Sequence, residues 1–126
     1  MGNRAVLEFQ GTDVGIYLHW NGGRDTIEPL LDVAKEYNIR SGDYGIARIS
    51  QMLGNFFGGT LCVGVDKLDR LDCDNGDNGT YVIDNNFNIV DRKYFDNREE
   101  QQVYDPKEMR EQFKLTNDPI FKREEN

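Results

Sequence analysis

The chain holds one histidine, one tryptophan, two cysteines and three prolines in 126 residues. Cys62 and Cys73 are too few and too irregularly placed for a disulfide framework or a zinc site. Any Ser-His-Asp or Cys-His system would have to use His19, and no motif surrounds a nucleophile. No apolar run approaches the roughly 18 residues of a membrane span. The start, MGNRAVLEF, lacks the basic-then-apolar form of a secretory signal. It also fails the myristoylation pattern, because Val6 stands where Ser or Thr is required. A soluble, cytosolic protein is expected. Positive charge is short as well: 15 basic against 23 acidic residues give a net charge of -8. Such a chain repels a polyanion, so extended DNA or RNA is a poor partner. A small anion is not excluded, because a few converging arginines reverse the field inside one pocket.

What is present suffices for a core. Aromatics make up 11% and hydrophobics 37% of the chain, and its length suits one domain. We read residues 1–126 as a single domain, with a body over 1–95 and a polar C-terminal segment over 96–126. RAVLEFQ (4–10) and VGIYLHW (14–20) alternate as strands around the turn Gly11-Thr12-Asp13. In DTIEPLLDVAKEYN, Asp25 is the expected N-cap, with Glu28 at capping-box spacing and Pro29 in the first turn. Ile27, Leu30, Leu31 and Ala34 form its apolar stripe. A second helix, YGIARISQMLGNFF, should stop at glycines, followed by a third strand, TLCVGV (60–65). TYVID and FNIV flank Asn85-Asn86, a pair that tolerates positive φ in a hairpin turn. The last helix should run from Pro106 to about Leu115 with Asp105 as its cap. Met109 and Phe113 give it only a narrow apolar edge, so it has to dock on the body or on a second copy. The order ββααβββα predicts an α+β fold: a mostly antiparallel sheet of about five strands, two helices packed on it, and a C-terminal helix docking on a partner protomer.

Three stretches hold chemistry-bearing residues. The loop DCDNGDNG suggests calcium, but counting from Asp72 puts Gly76 at position 5, Asp77 at 6 and Ile83 at 12, so the EF-hand pattern fails. A flexible hairpin-like loop is the plainer reading, and no metal site is expected. WNGGRDT resembles the SGGxDS phosphate loop of ATP pyrophosphatases, which also joins a strand to a helix. Asn21 and Thr26 replace its two serines, and the parallel α/β surroundings are missing. It therefore reads as a turn able to accept an anion at a helix N-terminus; equally, Gly22-Gly23 merely turn and Arg24 pairs with a carboxylate. Downstream, Phe87 and Tyr94 offer ring faces, Asn88 and Asn97 offer amides, and Arg110 and Lys114 share one helical face at i and i+4. Stacking, a polar hold and positive charge are what a nucleotide pocket needs. The plainer reading makes Phe87 core and pairs the two cations with local acids.

GNRAVLEF, GIYLHWNGGRD, DYGIARISQMLGNFFGGTLCVGV and NGDNGTYVID together resemble the Thoeris anti-defence 1 family of phage signal-sequestering sponge proteins. The resemblance covers residues 2 to about 95 and thins out in the tail. It implies binding of cyclic ADP-ribose isomers made by TIR-domain enzymes, without degradation, in the cytoplasm of an infected bacterial host. It further implies assembly as a homodimer and then a hexamer, with pockets between protomers. Some members also hold cyclic oligonucleotide signals at a separate site. Carried over by position, Phe87 is similar to the base-stacking aromatic and Asn97 to the polar contact. Arg110 and Lys114 resemble a basic pair one turn apart, with Lys114 giving a point charge where arginine would give a planar fork. His19 and Arg24 are assigned to a possible second anion site. No catalytic residue and no cofactor are expected. The competing readings are a small nucleotide hydrolase or pyrophosphatase built on the NGGRD loop, and an acidic protein inhibitor of a host defence enzyme.

Overall fold

Alternating apolar residues shape the first hairpin. Strand β1 (Ala5–Phe9) turns Ala5, Leu7 and Phe9 into the core, and β2 (Val14–Leu18) does the same with Ile16 and Leu18. The antiparallel register sets Ala5 opposite Leu18 and Leu7 opposite Ile16, so these side chains share one face. Helices α1 (Arg24–Glu36) and α2 (Asp43–Phe57) follow, then β3 (Val63–Lys67), β4 (Thr80–Ile83), β5 (Ile89–Lys93) and α3 (Pro106–Phe121). The computed structural model describes residues 3–58, 61–95, 100 and 103–122. Five strands form one sheet in the order β3-β2-β1-β4-β5. All neighbours are antiparallel except β1 and β4, which run parallel. The fold is α+β, with α1 and α2 sharing a core with one sheet face.

Several local expectations shift. Helix α1 begins at Arg24 with Gly23 as its N-cap, so Asp25 is not the cap and Pro29 falls in the second turn. Strand β3 starts at Val63 rather than at 60. In the β4–β5 turn the positive φ belongs to Phe87 (61°), and neither Asn85 nor Asn86 adopts one. Asp84 builds that turn instead: its Oδ1 accepts the Asn86 and Asn88 N–H groups at 2.9 Å each, while its carbonyl accepts Phe87 N–H at 3.1 Å. Backbone donation from Asn88, before any other cause, holds the Asp84 carboxyl below its ordinary range.

The acidic stretch before β4 is tied down. Leu68 and Leu71 lie over Gly15 on the second sheet face, where a Cβ would sit 2.6 Å and 3.1 Å from their methyls. Buried Asn75 donates to Asp72 O and Gly79 O and accepts from Asp77 N and Gly79 N, which satisfies its amide. Arg4 closes the loop with an Nε–Asp77 Oδ2 contact of 2.7 Å. Among the described residues no group of three His, Cys, Asp or Glu side chains is arranged to hold a metal ion. No helix among them is long and apolar enough to cross a membrane.

Helix α3 outruns its expected end at Leu115 because its buried edge continues. Met109, Phe113 and Asn117 recur at i, i+4 and i+8, and Phe121 stacks on Tyr37 with centroids 5.0 Å apart. Asn117 Nδ2 donates to Phe113 O and Met52 O, while its Oδ1 accepts from Asn55 Nδ2 at 2.8 Å. The helix thus packs on α1 and α2 of its own chain, and a second copy is not needed to bury this edge. Phe113 is fully buried against Phe56, with ring centroids 4.5 Å apart. Phe113→Ala should lower stability by about 3–5 kcal/mol through lost burial and the cavity left behind. Urea unfolding measures it, and a loss under about 1 kcal/mol would show that α3 is not part of the core.

Candidate functional site

The NGGRD turn is built by close chain approach. Asn21 takes a left-handed φ of 59°, which asparagine tolerates. Gly22 N–H donates to Asn3 O at 2.8 Å. A Cβ on Gly22 would lie 2.5 Å from that same oxygen and 2.7 Å from Ala5 Cβ, so only glycine fits. Gly22 O accepts the Tyr81 hydroxyl at 2.8 Å, and burial pushes that phenol well above its ordinary value. Both polar backbone groups of Gly22 therefore serve the fold and not a phosphate. Asp25, in the first turn of α1, is 3% exposed, and its Oδ2 accepts Val103 N–H at 2.7 Å and Tyr104 N–H at 2.8 Å. Its Oδ1 and the neighbouring Thr26 Oγ1 are buried without a partner.

From this turn a groove of about 310 Å³ runs between α1 and the β4–β5 turn. Arg24, Glu28, Asp32 and Lys35 line it from α1; Phe87, Asn88 and Ile89 line it opposite. These α1 residues recur at about one turn, which puts them on one stripe. Arg24 Nε lies 2.5 Å from Glu28 Oε1, and Lys35 Nζ donates to Asn88 Oδ1 at 2.6 Å. The hydrogen bond to Glu28, before any other cause, pushes the Arg24 guanidinium up, with the charge of Glu100 adding to it. From α3, Arg110 reaches Asp32 at 3.6 Å and Lys114 reaches Glu36 at 2.8 Å. Around the groove three cations (Arg24, Lys35, Arg110) therefore face two carboxylates (Glu28, Asp32), in a chain that is acidic overall.

The structure thus brings Arg24, Phe87 and Asn88 together, with Arg110 at the rim through Asp32. Phe87 is 5% exposed and packs in the core, its Cζ where a Cβ on Gly45 would lie at 3.1 Å. Arg110 and Lys114 pair with α1 acids rather than with Glu111. Tyr94 stands at the far end of β5, 56% exposed, and does not line the groove. His19 is outside it too: its Nδ1 lies 2.9 Å from the Tyr17 hydroxyl and its ring meets Trp20 edge-on at 4.9 Å. Asn97 lies outside the described residues. Comparison with protein-family models, curated proteins and solved structures finds no match to this chain.

One part of the site escaped sequence reading. The Arg92 guanidinium carbon sits 3.9 Å from the ring centres of both Tyr81 and Phe95. Its Nη2 donates to Asn78 O at 2.9 Å, and its Nη1 pairs with Glu100 Oε1. Arg92 Nε and Glu100 Oε2 are both buried without a partner. Register supplied the missing signal: Arg92 pairs with Tyr81 across β4–β5, which places it on the helix side of the sheet.

Asp25 ties the chain entering α3 to the start of α1. Asp25→Ala leaves two backbone donors without their acceptor, and the expected loss is about 1–3 kcal/mol. Amide hydrogen exchange at Val103 and Tyr104 should accelerate. Unchanged exchange at both would dismiss the tie.

Proposed function

We propose that this chain sequesters cyclic ADP-ribose isomer signals of TIR-domain immunity in the groove between α1 and the β4–β5 turn, without degrading them. The observation that carries the reading is the convergence there of Arg24, Asn88, Phe87 and Lys35, with Arg110 at the rim. Residues separated by more than fifty positions meet as cations, an amide and an apolar wall. The resemblance to the Thoeris anti-defence 1 family points to the same ligand class. A pyrophosphate would take over Arg24 and Arg110 from Glu28 and Asp32, gaining charge-assisted hydrogen bonds in their place. The Asn88 amide would hold a ribose or base edge once Lys35 turns to the ligand. Capture asks only for a preorganised site, and no proton has to move.

The groove's volume is at the low end of ligand pockets, and a second protomer would enclose more of a dinucleotide-sized ligand. Support for a homodimer comes from α3, whose outward residues Leu115 and Ile120 are 70% and 37% exposed. The place of action in this reading is the cytoplasm of an infected bacterial host.

The test is retention. The protein is incubated with cyclic ADP-ribose isomers, freed of unbound ligand and denatured, and the released molecule is identified. Intact ligand is expected; converted product would replace the reading with a hydrolase, and nothing released would discard it. Arg24→Ala should weaken binding about tenfold or more in calorimetry while circular dichroism stays unchanged, since it removes one charge-assisted contact. An unaltered isotherm would remove Arg24 from the site.

A further inference from the structure

We propose that Arg92 is a half-buried anion-recognition point and that Glu100 occupies it as the chain's own stand-in until a phosphate of the ligand displaces it. The inference rests on the reading above only in taking the ligand to be phosphorylated.

The arrangement of Arg92 is unusual for a structural clasp. Two aromatic rings, Tyr81 and Phe95, each lie 3.9 Å from its guanidinium carbon, and polar partners meet it through its nitrogens. Asn78 O takes Nη2 and Glu100 takes Nη1 through a single oxygen. An arginine and a carboxylate that exist to hold a fold together form a fork, two parallel hydrogen bonds, because that satisfies both groups. Among the described residues each partner keeps one buried polar atom with nothing bound to it, Nε on Arg92 and Oε2 on Glu100. Such atoms lose their hydration without replacement, so the pair is weaker than its burial would allow. A pyrophosphate brings more acceptor oxygens than a carboxylate and two negative charges in place of one.

Position links this point to the groove. The charge of Glu100 acts on Arg24, which lines the groove, and on the Tyr81 hydroxyl. An anion in the place of Glu100 would therefore contact the Arg92 guanidinium and feel the charge of Arg24 through space. Asp25 faces the same region, and its charge opposes an anion. Two backbone N–H groups on its Oδ2 offset part of that opposition, and its free Oδ1 together with Thr26 Oγ1 can accept hydroxyl donors from a ribose. The site thus suits a phosphorylated sugar better than bare phosphate.

The decisive variant is Glu100→Gln, titrated beside the wild-type chain with linear ADP-ribose and with inorganic pyrophosphate. Removing the competing charge should tighten ADP-ribose binding about tenfold or more, and adding Arg92→Lys should abolish the gain. Equal or weaker binding by Glu100→Gln overturns the proposal. If wild type binds and Arg24→Ala weakens it while Glu100→Gln changes nothing, sequestration in the groove stands and the stand-in role falls. If only Glu100→Gln binds, the stand-in role stands; if neither chain binds, the stand-in role falls, and retention of cyclic ADP-ribose isomers alone decides sequestration. A measurement on the wild-type chain guards against a misfolded variant. The Arg92 Nε–H resonance should shift when ADP-ribose saturates the protein, and a resonance unmoved at saturation also overturns the proposal.

Discussion

Parallel pairing of β4 with β1 is the constraint on which the remaining arrangement depends. Val6 to Phe9 stand beside Thr80 to Ile83, so β2, both helices, β3 and the acidic loop all lie in the connection between these two neighbours. Such pairing needs a long crossover, and this chain fastens it at one end and in the middle. At the lower end Arg4 holds Asp77, and Asn78 donates to Arg4 O. In the middle, Tyr81 reaches across to Gly22 O at the start of α1. Once β4 is in place, the β4–β5 turn lies along α1 and the groove follows. Moving β4 by one residue would turn Tyr81 to the other face and Arg92 with it.

Charge is organised by the same placement. Glu28, Asp32 and Glu36 form a carboxylate stripe on α1, and each meets a cation: Arg24 on the same helix, Arg110 and Lys114 on α3. Exposed pairs of this kind contribute little to stability, about 0–1 kcal/mol each. They do hold Arg24 and Arg110 against two carboxylates that line the groove. In the proposed function, a ligand must outcompete carboxylates already in place, which favours one with several phosphate oxygens over a single acid. Glu100 on Arg92 extends that logic into the interior.

Much of the fold was legible because hydrophobic period decides it. The alternation of Leu7, Phe9, Ile16 and Leu18 and the helical stripe from Ile27 to Ala34 placed the elements in their right order. Boundaries failed where tertiary contacts overrode local signals. Asp25 has every mark of a cap, yet Val103 and Tyr104 claim its carboxylate. Helix α3 continues past Leu115 because Asn117 and Phe121 find partners on α2 and α1's C-terminal flank. Asn85-Asn86 was the evident turn pair, but the Asp84 side chain sets the geometry and leaves the strained φ to Phe87. At the site, residue types were legible and their grouping was not. Nothing local tells that Arg24 belongs with Asn88, or that Arg92 lies against two rings, since strand register decides both.

The central claim is that the ligand lies between α1 and the β4–β5 turn. Backbone amide shifts mapped during titration with a cyclic ADP-ribose isomer test it most directly. The largest shifts should fall on Arg24, Glu28, Lys35, Asn88 and Ile89, with His19 and the Asn75 loop unmoved. Shifts centred on His19, Trp20 and the loop, with residues 24–35 silent, would contradict it.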